Sequence, residues 1–233
     1  MRFQTVILSG GCCLAFGAAF ANAGLLLETG TSVSHLTGDI SRISIDLARN
    51  SPEILPELLR VVAAALAFAM GALVSGLLIH QPDLDFARPY GRTVSGIGVL
   101  FLLSHVTEAA SPIPAIALAA FACGIQNSLA TRYRGMILRT THLTGLITDF
   151  GTHFGMRLRG IRVPFWKIAV PGVLTAAFVL GGTSAALVFY RWKLDPVLLA
   201  GVAYLLAGIL WTLAKHLVFR GFFSKGNLEG GKE

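Results

Sequence analysis

Of the 233 residues, 54% are hydrophobic and 13% are charged, the latter about half of the roughly 25% usual in soluble domains, and the mean hydropathy is +0.69. This excludes an ordinary soluble domain and points to a polytopic membrane protein. The net charge of +7 is therefore read as basic loops against phospholipid, with no nucleic-acid partner expected.

In chain order, residues 5–27 form the first apolar stretch, long enough for a hydrocarbon core of about 30 Å that takes roughly 20 helical residues. Ala21-Asn22-Ala23 before Gly24 also fits a signal-peptide cleavage site. A retained helix is favoured, because the matching stretch 112–131 lies mid-chain. Residues 29–50 hold His35, Asp39, Arg42, Asp46 and Arg49. They are too polar to face lipid and predict a short amphipathic helix or a broken segment tucked into the protein.

A second span is expected over 58–80, opened by Pro56, closed by His80-Gln81-Pro82 and carrying Gly71 and Ser75 at small-xxx-small spacing. A third covers 92–109 and ends at Glu108 and the Ser111-Pro112 turn. The fourth, 112–131, has Gln126-Asn127 near its end. A basic segment, 132–163, precedes spans at 164–190 and 196–219. The expected organisation is all-α, with one membrane domain over 1–222 and a flexible cytoplasmic tail over 223–233. Cys12, Cys13 and Cys123 lie in apolar runs without disulfide or metal spacing and read as packing residues.

The chain also repeats itself. Ser34-His35-Leu36-Thr37-Gly38 returns 107 residues later as Thr141-His142-Leu143-Thr144-Gly145, and such a repeat outranks any local motif. The same displacement takes Gly17 to Gly124, Cys13 to Ala120 and Ala21 to Ser128. Phe68-Ala69-Met70-Gly71 reappears as Phe178-Val179-Leu180-Gly181. Repeat one spans about 5–110 and repeat two about 111–220, and the small faces of the first and fourth spans are expected to pack on each other.

With the amino terminus inside, the six spans leave 14 Lys and Arg on the inner side and 5 on the outer. That bias selects cytoplasmic termini. Three spans per half then insert the halves in opposite senses. Interrupted segments at matching places in inverted repeats point to a binding site at mid-membrane, because glycine frees backbone polar groups that survive there only beside a cavity or buried against protein.

His35 and Asp39 lie one helical turn apart, as do Asp149 and His153, and an imidazole beside a carboxylate can carry a proton. Two readings stay open: these histidines are hydrogen-bonded interior residues, or they belong to a site. The site reading takes His35, Thr37, Gly38, Asp39, Gln126, Asn127, Arg139, Thr141, His142, Thr144 and Gly145 as lining for a small polar or anionic solute. It predicts a polar cavity reached from one side at a time. A non-transporting scaffold or accessory subunit, the alternative, predicts apolar lining between the two segments.

Gly124-Ile125-Gln126-Asn127, Arg139-Thr140-Thr141-His142-Leu143-Thr144-Gly145 and the earlier His35-Leu36-Thr37-Gly38 resemble the YoaK family of bacterial six-helix inner-membrane proteins, over roughly residues 5–220. The resemblance implies a multi-pass inner-membrane location and six helices, and no activity. Where family members commonly carry an acidic residue in the first helix, Ala21 stands here beside Asn22, and Asp39 stands where they carry Asn.

An intramembrane enzyme ranks third. Ser75 and Ser95 lack the glycine two positions earlier that a rhomboid-like G-x-S-G nucleophile needs: the runs are Leu73-Val74-Ser75-Gly76 and Thr93-Val94-Ser95-Gly96. No H-E-x-x-H, phosphate loop or dinucleotide fingerprint occurs. His35, His142 and His153 lack ligand spacing for metal or haem. No cofactor, metal or catalytic residue is expected. The expected partners are the bilayer and the solute, and small faces would serve internal packing or a homo-oligomer equally well.

Overall fold

A computed structural model of the chain describes residues 3–49, 52, 54–78, 90–129, 131–133, 136–138 and 140–229. They form α1 (Phe3–Thr29), α2 (Leu36–Ala48), α3 (Ile54–Leu78), α4 (Tyr90–Glu108), α5 (Pro112–Ser128), α6 (Leu143–Leu158), α7 (Trp166–Leu187) and α8 (Pro196–Glu229). The six expected spans each find a helix. The polar segment 29–50 supplies α2, and the basic segment supplies α6.

Four stretches among the described residues are long and apolar enough to cross a membrane: Ile7–Thr29, Ile54–Leu78, Trp166–Trp192 and Pro196–Leu217. They correspond to four of the six expected spans, and the other two fall on α4 and α5. Helix α5 has 17 residues, about 26 Å at 1.5 Å per residue, and α4 has 19 with Arg92 and Glu108 near its ends. Helix α5 lies inside the bundle, and α4 buries one face and exposes Val99, Leu103 and Val106 on the other. Ala115, Ile116, Ala119, Ala120, Ala122 and Cys123 of α5 are wholly buried, as are Ile97 and Phe101 of α4, so protein replaces lipid around them.

Two further differences concern local structure. Thr131–Tyr133 and Met136–Leu138 form an antiparallel pair, β1 and β2, with Arg132 opposite Ile137, so the fold is helical apart from this small ladder. Gly135 between two short β-prone runs was the available hairpin signal. Helix α8 runs on to Glu229, past the expected end at 219 and through most of the expected tail, since no proline interrupts it. Helix α7 continues into a π-helical turn, Val188–Trp192, closed by Lys193 in the left-handed region at φ 55°.

Close helix contacts rest on residues without a Cβ. Helix α3 packs on α5, α7 on α1 and α4 on α8, with α4 also touching α5 and α1 touching α8. A Cβ on Gly71 would stand 2.9 Å from the Phe121 carbonyl carbon, and one on Gly124 would stand 2.9 Å from that of Phe68. Between α4 and α8, a Cβ on Gly91 would lie 2.7 Å from the Gly208 oxygen and one on Gly98 2.7 Å from the Gly201 oxygen.

The expected contact of the first and fourth spans through their small faces is corrected here. Helices α1 and α5 touch only slightly. Gly124 faces Phe68, Ser128 Oγ donates to the Ala72 carbonyl of α3 at 3.2 Å, and Gly17 faces the ring of Tyr204 on α8. Positions that correspond in a repeat need not take each other as partners.

Candidate functional site

Helix α1 ends where Gly30 adopts φ 71°, a conformation glycine takes without a Cβ penalty. The chain then folds back along α1. Asn22 Oδ1 accepts four donors: the amides of Val33 and Ser34 at 3.0 Å each, Ser32 Oγ at 3.0 Å and Ser34 Oγ at 2.9 Å. Asn22 lies seven residues before Thr29, so this re-entrant loop is drawn about 10 Å below the end of α1. Buried Ser32 also donates its amide to Asp39 Oδ2 at 3.0 Å, and its hydroxyl accepts the His35 amide at 3.0 Å.

These bonds set His35 at the start of α2 with its ring edge-on to Phe178, centroids 5.2 Å apart. Phe178 is twelve residues after the start of α7 and nine before its end. The imidazole therefore sits at mid-helix depth. Its Nε2 is buried without a hydrogen-bond partner among the described residues.

The second segment is held from α5. Thr141 Oγ1 donates to Asn127 Oδ1 at 2.6 Å, and Gln126 Nε2 reaches Thr140 Oγ1 at 3.4 Å. Gln126 is itself buried. Its Nε2 donates to the Leu14 carbonyl, mid-way along α1, at 2.8 Å, and its Oε1 accepts the Tyr204 hydroxyl at 2.7 Å. His142 then opens α6. Gly145 leaves room for its ring, since a Cβ there would stand 2.7 Å from His142 Cε1.

His35 lies within electrostatic reach of His142. Burial pushes the His35 imidazole below its ordinary value, His142 pushes the same way and Asp39 opposes. Burial raises the Asp39 carboxyl, against the Ser32 amide, Arg42 and His35. Each histidine starts a helix, so the free N–H groups of two first turns face this region.

Thr37, Gly38, His142 and Thr144 are exposed, with Thr37 and Thr144 in the first turns of α2 and α6. Their carbonyls accept Ser41 Oγ and Thr148 Oγ1, each at 2.9 Å. The expected Asp149–His153 pair takes another form, with His153 Nδ1 against the Asp149 backbone carbonyl at 2.7 Å. Arg139 lies outside the described residues. Asn22, Ser32, Thr140, Phe178 and Tyr204 were missed by the sequence reading. Asn22, the one amide deep in the first apolar stretch, and Tyr204, the one tyrosine in the last, were the signals available. Beside Tyr204, a crevice of about 460 Å³ between α1, α4 and α8 is walled by Leu14, Phe16, Phe20, Val94 and Ala203, and it is apolar.

A bundle of long apolar helices enclosing buried polar loops defines a helical membrane protein. The chain belongs to DUF1275, described as a protein family of unknown function, whose model matches residues 10–211. YoaK proteins are members of that family. No curated protein and no solved structure matches the chain.

Proposed function

We propose that the protein moves a small polar or anionic solute across a bacterial inner membrane, bound between the two H-L-T-G segments. What supports this reading is that His35 and His142 start α2 and α6 within electrostatic reach of each other, each on a segment held by an amide of a neighbouring helix. Helix starts present unpaired N–H groups and partial positive charge to an anion. His35 Nε2 and the imidazole of His142 add polar atoms, and Thr37 and Thr144 add hydroxyl donors. Gly38 and Gly145 leave the backbone accessible. Asp39, Gln126, Asn127 and Thr141 hold the segments, and Arg139 supplies a full positive charge. No catalytic role is assigned.

Six crossings in two inverted halves, with cytoplasmic termini, complete the reading. Its support is a symmetry of packing. Replacing α1, α2, α3 and α4 by α5, α6, α7 and α8 turns the α3–α5 contact into α7–α1, and α2–α3 into α6–α7. A shift of 110 carries Gly91 to Gly201 and Gly98 to Gly208, the residues at which α4 meets α8. Two short helices at matching positions, α2 and α6, suit a transporter whose halves rock around a fixed site. Reporter fusions after Glu108 and Trp192 should map outside and one after Arg159 inside. An external Arg159 refutes the inverted arrangement.

The functional test is flux into proteoliposomes, screened over small anions and polar metabolites with and without a pH gradient. Thr144→Ala or Arg139→Ala should abolish uptake while the protein stays folded in the membrane. The apolar crevice favours a second reading, a scaffold or accessory subunit. No flux above empty liposomes across the panel, together with loss of stability in a Thr37 and Thr144 double alanine variant, decides for that reading.

A further inference from the structure

Helices α2 and α6 both begin on an H-L-T-G segment, yet the chain around them differs in charge. Residues 36–60 carry Arg42, Arg49 and Arg60 against Asp39, Asp46, Glu53 and Glu57, a net −1. Residues 143–167 carry Arg157, Arg159, Arg162 and Lys167 against Asp149, a net +3, and no acidic residue follows before Asp195. The partners differ as well. Arg42 pairs with Glu57 at 3.1 Å and Arg60 donates to the Thr29 carbonyl at 3.3 Å, so the protein itself engages these cations. Among the described residues, none of the four cations around α6 meets a carboxylate. Arg157 Cζ stands 6.0 Å from the ring centre of Phe165 and Lys167 Nζ 5.8 Å from that of Trp166. Arg159 and Arg162 are exposed on either side of Gly160, whose φ of 84° turns the chain towards α7.

Between its charges the same surface is apolar. Ile147, Phe150, Phe154 and Leu158 recur at helical spacing along α6 and are all exposed, Leu158 by 74%, and Phe165 in the following turn is 69% exposed. This stripe starts inside the bilayer, because the neighbouring Leu146 packs on Leu174, eight residues or about 12 Å into α7. It ends at the membrane boundary, because the apolar stretch of α7 begins at Trp166, and basic and aromatic side chains collect at that level. An acidic soluble partner would match the cations and could not reach the stripe. Phosphate headgroups above acyl chains match both.

We propose that the outer face of α6 and the turn into α7 form a docking surface for anionic phospholipid. Arg159 and Arg162, flanked by Arg157 and Lys167, hold the headgroup phosphates, for which the guanidinium fork is suited. Phe154, Leu158 and Phe165 lie among the acyl chains. The surface does not rest on the transport reading.

The test uses the full chain with Trp192→Phe and Trp211→Phe, which leaves Trp166, beside the turn, as the one tryptophan. It is reconstituted in bilayers containing phospholipid brominated on its acyl chains, so that quenching of Trp166 reports the neighbouring lipid. Brominated phosphatidylglycerol should be preferred over brominated phosphatidylcholine by about fivefold or more, the factor for one arginine near an anionic surface, and high salt should shrink the preference. Arg159→Gln with Arg162→Gln should remove most of it. Arg159→Lys with Arg162→Lys should keep most of it, and so should Arg42→Gln with Arg49→Gln on α2. Equal quenching by the two lipids, or a preference that survives the Arg159 and Arg162 glutamine pair, overturns the surface. A lysine pair that loses the preference as fully as the glutamine pair overturns the electrostatic account. If the face instead joins copies of the chain, the two lipids quench alike and the glutamine pair changes the oligomeric mass, which overturns the lipid assignment.

Discussion

Replacing Gly124 by alanine tests the packing that positions both polar segments. A Cβ there would stand 2.9 Å from the Phe68 carbonyl carbon and 3.1 Å from the Ala72 amide nitrogen, where ordinary contact lies at 3.4–4 Å. Both neighbours are backbone atoms of α3 and cannot swing aside as a side chain would. Helices α3 and α5 must therefore part by several tenths of an ångström along their shared face. Alanine gains about 1 kcal/mol of helix propensity over glycine, and overpacking a tight contact costs about 1–3 kcal/mol. Dispersion attraction between the two helices also weakens as they separate. We expect a net destabilisation of about 1–2 kcal/mol, or about 2–8 °C in Tm for a chain of this size. Leucine should prevent folding. Thermal melts of detergent-purified protein followed by circular dichroism measure the change, with Gly96→Ala as control. Gly96 is exposed, and a Cβ there meets nothing within 4 Å. A Gly124→Ala protein that melts at or above wild type refutes the backbone-contact argument.

Gly145→Ala pushes on the His142 ring, which can move. It should leave Tm within about 1 °C, since the exposed His142 ring can turn aside at little cost, while lowering uptake severalfold in the flux assay; unchanged uptake would show that the His142 position is immaterial. Gln126→Leu removes the 2.7 Å acceptor of the buried Tyr204 hydroxyl and the 2.8 Å donor to the Leu14 carbonyl, leaving these two only their own 3.5 Å contact, a loss of about 1–3 kcal/mol that chemical denaturation would register. His35 supplies a pH test. Its pKa is lowered from 6.5, so the unfolded chain binds the proton more readily, and stability attributable to neutral His35 should be lost as pH falls below about 6.5. His35→Gln should flatten that decline, and equal slopes for the two proteins contradict the burial argument.

Much of the helical layout was legible because lipid-facing sequence is apolar over long runs. Those runs located α1, α3, α7 and α8, and Pro112 with Ser111 marked the start of α5. The segments around His35 and His142 announced themselves by their polarity inside an apolar chain and by recurring. The partners of the small-residue faces did not. A glycine declares that a backbone comes close but not whose, which is why Gly17 and Gly124 were matched with each other when they face Tyr204 and Phe68. The pairing of Thr131–Tyr133 with Met136–Leu138 was hidden by its brevity, since three residues per strand carry little periodicity.

By itself, then, the chain determined that it is a helical membrane protein with two polar interruptions and which residues those interruptions contain, because hydrophobic length and the exclusion of unpaired polar groups from lipid are properties of composition and order. Tertiary structure alone decided that Asn22 draws the first interruption down along α1, that Gln126 ties α1, α5 and α8 together, and that Asn127 holds Thr141 of the second interruption. Each is a pairing between residues far apart in sequence or on different elements. It is chosen by which backbones can approach closely and which buried donors find acceptors, and neither quantity can be read from one segment alone.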